Sequence, residues 1–215
     1  KEVIMAQRKL RIYLCAPLFN YGEKAMNVHN AKLLRSHGWR CFLPQELGMI
    51  SDDAEEDLKE KCFEDDLKAI ELCDVMISNA NGPDIDSGSA AEIGQGCLLW
   101  MQKQKGIDNG SKILCKPLVF KGDVRNYYAP ATKISEEKRQ YKVNNYILGN
   151  CYDCRVFTDV EEMIPILEEL QKQITEEEGS IKYGLHQYDF EGEIQPTKEV
   201  EEIVQATTID QADIN

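Results

Sequence analysis

The chain has 215 residues, 42% of them hydrophobic, which suits one globular domain with an appendage or at most two small domains. Its net charge of −13 makes a surface that repels phosphate, so DNA, RNA and anionic membranes are excluded as main partners, while a neutral or small substrate remains compatible. The acidity is uneven: residues 176 to 215 hold eleven acids against two bases, and the body before them is close to neutral.

Strand and helix signals alternate along the chain. Leu10 to Ala16 reads as a buried strand, punctuated by Pro17 and Asn20. Residues 21 to 37 read as a helix stopped by Gly38. Arg40 to Leu43 is a second strand ended by Pro44, and residues 54 to 73 form a strong helical pattern. Asp74 to Ser78 is a third strand, followed by a loop at 79 to 88 and a helix from about Ser89 to Lys103. Lys112 to Phe120 is a fourth strand, and residues 121 to 134 are irregular. A helix over 135 to 148, a fifth strand at Arg155-Val156-Phe157 and a last helix over 160 to 175 complete the pattern, with Pro165 kinking that helix or delaying its start.

This β-α-β-α order predicts an open, mostly parallel, doubly wound α/β sheet of five strands with helices on both faces. Ligands in such sheets bind beyond the carboxyl ends of the strands, where the loops at 16 to 20, 44 to 50 and 79 to 88 should meet. The domain reading is an extension at 1–9, the α/β domain at 10–175 and an acidic extension at 176–215. In that last stretch Tyr183, Tyr188 and Phe190 lie among the acids, and a short helix near 197 to 206 is compatible with the pattern. No segment has the length and purity of a transmembrane helix, and no secretory apolar stretch opens the chain, which points to a cytoplasmic address.

The eight cysteines mostly lie in apolar runs, where a free thiol behaves as a small hydrophobe. Cys151 and Cys154 form the one CxxC, but no second pair or histidine cluster follows it, so no metal site is expected. Gly-rich phosphate loops are absent, and with them the signal for a phosphate-centred cofactor; none is expected.

Two acidic positions carry the chemical argument. On the helix 54 to 73, Leu58, Cys62, Phe63, Leu67, Ala69, Ile70 and Cys73 share one broad face at about 100° per residue. Asp66 falls near the middle of that face and Asp65 off it. A carboxylate on an apolar stripe is costly unless it is paired or used. Further on, Ser89 and Glu92 have the S-x-x-E spacing of a capping box. The same placement suits a nucleophile, since a helix N-terminus favours the ionised carboxylate and an ionised, sequestered Glu can attack a sugar carbon. Gly88, Ala90 and Ala91 leave room for a ligand or for tight helix packing. Tyr13 is the polar-tipped member of the first strand.

Taken together, Ile12-Tyr13-Leu14-Cys15-Ala16-Pro17-Leu18-Phe19-Asn20, Leu43-Pro44-Gln45-Glu46, Asp65-Asp66-Leu67, Cys73 to Ile77 and Asp86-Ser87-Gly88-Ser89-Ala90-Ala91-Glu92-Ile93-Gly94 resemble the nucleoside 2-deoxyribosyltransferase family across residues 10 to 158. The resemblance implies a flavodoxin-like domain that exchanges the base of a 2'-deoxynucleoside, with free nucleobases and nucleosides as its partners. Glu92 would be the nucleophile, giving a deoxyribosyl ester and net retention after two inversions. Tyr13 would orient the Glu92 carboxylate. Asp66 and Asp86 would contact the base, one of them protonating the leaving nitrogen. Phe19, Gln45, Glu46, Gly88 and Ser89 would line the substrate. Asn145, with Asn144 as the other candidate, would reach the sugar hydroxyls of a neighbouring subunit, which implies a homo-oligomer with shared sites. The chain departs from the family in having Cys15 where Gly is usual, in longer segments at 105 to 111 and 121 to 142, and in the acidic stretch after 176.

Two alternatives differ in kind. A 2'-deoxynucleoside 5'-monophosphate N-glycosidase would use the same Glu and pass the sugar to water; the apolar, uncharged Ala16 to Asn20 favours an unphosphorylated 5' end, while Ser87 and Ser89 keep the alternative open. A non-catalytic nucleotide-sensing module has no need of a nucleophile.

Overall fold

The computed structural model describes residues 8–47, 56–82, 84–122 and 143–174. The elements follow the alternation read from the sequence: β1 (Arg11–Cys15), α1 (Tyr21–Ser36), β2 (Arg40–Phe42), α2 (Glu56–Leu72), β3 (Val75–Asn79), α3 (Ser87–Gln104), β4 (Leu118–Phe120), α4 (Asn145–Asn150) and α5 (Ile164–Lys172). Four strands pair in the order β2-β1-β3-β4, all parallel. The first crossover leads outward from β1 to β2 and the second returns past β1 to β3. The carboxyl ends of β1 and β3 therefore flank the point where the winding reverses, the usual crevice of such sheets.

Alternation along each strand builds a core on both sides. Ile12, Leu14, Val75 and Ile77 pack with Val28, Ala31 and Leu34 of α1 and Leu167 and Leu170 of α5. Tyr13, Cys15, Phe42 and Met76 pack on the other side with Ala69, Ile70 and Leu72 of α2 and with Cys73. Helix α3 joins that second layer. A Cβ on Gly96 would come within 3.1 Å of Met76 Sδ and Pro117 Cγ, so the missing side chain sets how closely α3 rides on the sheet.

An ion cluster seals the amino ends of the strands. Asp74, 1% exposed, accepts from both terminal nitrogens of Arg8 at 2.7 and 3.0 Å and from the Arg11 backbone at 2.8 Å and guanidinium at 2.9 and 3.2 Å. Gln171 of α5 accepts from the Leu10 backbone and donates to the Arg8 carbonyl. The fold thus takes in Arg8 and Lys9, which the sequence places in an extension.

The remaining differences have local causes. The expected fifth strand is a single parallel bridge, Phe120 to Phe157. Beyond it Thr158 N donates to Glu162 and Glu162 N to Asp159, which turns the chain into α5 before a ladder can grow. The fourth strand is three residues long because Pro117, just before it, has no N–H to give. Pro165 opens α5 in its first turn, where an N–H is not missed, so it delays the start and does not kink the helix. On α2 the buried face is turned relative to the sequence pattern: Asp65 is 4% exposed and Phe63 59%. The sheet and α3 decide which arc is covered, and the apolar periodicity alone places that arc one position off. Of the helix expected at 135 to 148, only residues 143 to 148 fall among the described residues, where Asn144 caps α4. The acidic extension lies outside them, as do most of the expected irregular residues 121 to 134. Among the described residues no helix is long and apolar enough to cross a membrane.

Candidate active site

Tyr13, Glu92 and Asp66 come together at the carboxyl end of β1. Tyr13 is fully buried, and its ring is stacked on Phe42 of β2 with centroids 5.7 Å apart and planes 20° from parallel. That stacking aims the phenol up the strand, where Oη donates to Glu92 Oε2 at 3.1 Å. Asp66 descends from α2 into the same spot and also hydrogen-bonds Tyr13. Its Oδ1 is buried without a hydrogen-bond partner among the described residues. A buried carboxylate oxygen left open beside another carboxyl group is costly, and such oxygens are found where a ligand supplies the missing donor.

The electrostatics follow from burial. Desolvation pushes Glu92 up to about 7, reinforced by the nearby Asp66 and Asp86 and opposed by hydrogen bonds from Cys15 and Tyr13. Desolvation likewise pushes Asp66 up to about 6, with Asp65 adding to it and the Tyr13 hydrogen bond opposing. Burial, with Glu92 and Asp66 alongside, holds the Tyr13 phenol well above its ordinary value, so it stays a donor. The phenol has one proton. When Asp66 is protonated it can donate to the phenol oxygen while the phenol donates to an ionised Glu92. Two protons and one negative charge are then distributed over a chain of three groups.

The helix start corrects the reading of Glu92. Asp86 is the N-cap of α3, and its Oδ2 accepts from Ser89 N at 2.9 Å. Ser89 is therefore the third helical residue, and Glu92 lies beyond the first turn, outside any capping box. At that depth the helix dipole fades, which is why burial prevails and the carboxyl group is not kept strongly acidic.

The other expected site residues divide. Gly88 is exposed, and a Cβ there would come to 3.1 Å from Asp86 Oδ2, so the glycine keeps that carboxylate accessible. Ser89 is 3% exposed and serves through its backbone. Phe19 is 75% exposed on the loop after β1, just before the Asn20/Glu23 capping box of α1. Gln45 and Glu46 are committed elsewhere. Gln45 accepts from Asn27 Nδ2 and donates to the Lys24 carbonyl. Glu46 is held by the Arg35 guanidinium at 2.6 and 2.8 Å. Both brace α1 against the loop after β2, so in this structure neither presents a free group to a base. Asn144 caps α4 through Tyr146 N, while Asn145 is exposed on the first turn.

Several contributors escape the sequence reading. Lys121, 2% exposed at the end of β4, donates to the carbonyls of Ala80 and Gly82 and grips the loop that leads to Asp86. Met26 of α1 takes hydrogen bonds from Asn79 and Asn81 at its sulfur, 3.6 and 3.3 Å away. Cys15 lies directly under Glu92. A lysine after a strand and a methionine on a helix read as surface and core, and Cys15 is marked only as a departure from the family's usual Gly. Among the described residues no three His, Cys, Asp and Glu are grouped to hold a metal ion; Cys151 is buried and Cys154 exposed. An open cavity of about 560 Å³ lined by Trp100, Lys116, Tyr152 and Cys154 is remote from these groups, toward the amino ends of the strands.

Comparison with known proteins bears on the family and the fold. Residues 12–100 match the family model described as nucleoside 2-deoxyribosyltransferase. The fold is similar to that of a 2-deoxyribosyltransferase from the psychrotolerant bacterium Bacillus psychrosaccharolyticus, with a TM-score of 0.51 and 19% identity over 71% of this chain and 89% of that one. It is also similar to a 2-deoxyribosyltransferase from Leishmania mexicana, with a TM-score of 0.50 and 16% identity over 74% of this chain and 97% of that one. At these identities the structural likeness is one of fold. No curated protein matches this chain significantly. The family resemblance carried by the motifs therefore holds over residues 12–100, and the fold is flavodoxin-like, with four paired strands among the described residues.

Proposed function

We propose that this protein, with a nucleoside 2-deoxyribosyltransferase core, moves the 2-deoxyribosyl group from one nucleobase to another through an ester on Glu92. The observation that carries the reading is the contact of Tyr13 with Glu92, with Asp66 on the same phenol. The Glu92 carboxylate attacks C1' on the face opposite the base. The C1'–N bond breaks, its electron pair goes to the base nitrogen, and that nitrogen takes a proton from Asp66 or Asp86. A second base then attacks C1', returning its N–H proton to that aspartate and displacing the carboxylate, so two inversions give net retention. Tyr13 steadies Glu92 throughout, and the general acid help given to the leaving nitrogen is worth about 10²–10⁴-fold.

The first loop supports an unphosphorylated substrate: Ala16 to Asn20 offer exposed Phe19 and no cation to a 5'-phosphate. Asn145 is the better placed of the two asparagines to serve a neighbouring protomer, because Asn144 is used as a cap.

Incubating deoxyinosine with and without adenine tests the reaction. Deoxyadenosine should form only when adenine is present, and Glu92→Ala should abolish it. Base-independent release of deoxyribose, or full exchange by Glu92→Ala, overturns the reading.

A further inference from the structure

Cys15 closes β1 at the point where the sheet winding reverses. It is fully buried, and the first turn of α3 lies over it, with Sγ 3.9 Å from the Ser89 carbonyl. Across the β1–β3 pair Cys15 is in register with Ser78, also fully buried, whose hydroxyl donates to Cys15 Sγ at 3.3 Å. Ser89 and Glu92 are three residues apart and so share a face of α3. A thiol seated beneath Ser89 is therefore also beneath Glu92, near enough for each group to shift the other's titration.

The proton count determines the direction. The sulfur already accepts from Ser78, so its single S–H is left to donate. The Ser89 carbonyl is at the limit for sulfur, whereas the carboxylate is a charged acceptor and the better partner. Burial and the neighbouring Glu92 hold the thiol well above its ordinary value, so it stays protonated and takes no part as a nucleophile. Tyr13 and Cys15 are two residues apart and point to the same side of β1. The strand thus presents Glu92 with two donors, a phenol and a thiol, while Asp66 from α2 and Asp86 at the α3 cap bring the opposing negative charges.

We propose that Cys15 is a positioning residue, whose thiol, fixed by Ser78, holds the Glu92 carboxylate in its attacking orientation. The kinetic part of this inference rests on the function proposed above; the hydrogen bond itself does not. The test uses full-length wild type, Cys15→Ala, Cys15→Ser and Ser78→Ala. Glu92 is titrated by carbon NMR of labelled glutamate, assigned with Glu92→Gln, and base exchange is measured on the same samples. Losing a donor to a charged acceptor, discounted for a weak thiol, should lower kcat about tenfold with KM changed less than about twofold. Glu92 should titrate at least about half a pH unit higher in Cys15→Ala. Cys15→Ser should restore most of both, since a hydroxyl can donate in the same place, and Ser78→Ala should fall between. An unchanged kcat and Glu92 titration in Cys15→Ala overturns the inference. So does an equal loss in the Ala and Ser variants that tracks a fall in Tm, because packing then explains it. If wild type exchanges no bases yet the Glu92 titration moves in Cys15→Ala, the thiol contact stands and the reading of the reaction fails. If exchange proceeds and the titration does not move, the Cys15 inference fails alone.

Discussion

The carboxyl group proposed to react sits where charge is expensive. Glu92 has an ordinary value of 4.5 and is raised to about 7 in the fold. Between those values the folded state binds more protons than the unfolded one, so stability is greatest at low pH and falls as pH rises through that window. Glu92→Gln removes the cost: at pH 8 it should be more stable than wild type by about 1–3 kcal/mol, and near pH 4 the difference should vanish. Urea unfolding at the two pH values checks this, and equal stability at pH 8 would contradict the burial argument. Activity should show the same chemistry from the other side. In the proposed reaction Glu92 is ionised and a base-side acid protonated, so kcat/KM should be bell-shaped between the apparent values of the pair, about 6 and 7. Asp66→Asn should flatten the alkaline limb if Asp66 is the acid; retention of that limb would move the role to Asp86.

At the scale of the element, α3 makes the site by where it begins. Asp86 caps it, and the same carboxylate adds negative charge near Glu92. Asp86→Ala should cost about 1 kcal/mol of stability through the lost cap, whereas Asp86→Asn, which can still accept from Ser89 N, should cost only a few tenths. Both should lower the pH at which Glu92 titrates. Thermal melts and the Glu92 titration separate cap from charge, and equal melting losses would remove the cap from the account. The helix start is also where the sequence misleads. Ser89 and Glu92 have capping-box spacing, but Asp86, three residues earlier, takes the Ser89 N–H. Two competent caps in one segment are not distinguished by spacing; the loop gripped by Lys121 decides between them.

For the whole molecule, the alternating pattern was enough to read the parallel α/β sheet, because buried strands and amphipathic helices differ in period and the order of types limits the topology. Tyr13, Asp66 and Glu92 were legible as a set through their motifs. Asp65 and Phe63 were misplaced because helix periodicity locates a face only to within about one residue, and packing against α3 sets the rest. Gln45 and Glu46 were assigned to substrate, yet their partners on α1 are 18 and 11 residues away in the chain and no local pattern links them. Assembly belongs to this scale too. If Asn145 serves a neighbouring site, Glu92→Ala and Asn145→Ala should each be inactive or severely impaired alone, and mixing them after mild dissociation should regain base exchange. No recovery from a mixture shown to exchange subunits would place each site within one chain.

The clasp at the amino ends of the strands has a practical consequence. Gln171 bridges the Arg8 carbonyl and the Leu10 amide, so the chain comes in at Arg8 and goes out past α5 side by side. Arg8 and Gln171 both lie at the amino ends of the strands, away from Glu92. A support attached through Lys172, exposed on the last turn of α5, would leave the face that carries Glu92 turned toward solution, so immobilisation should preserve turnover, whereas anchoring through the exposed loop at Phe19 should block it.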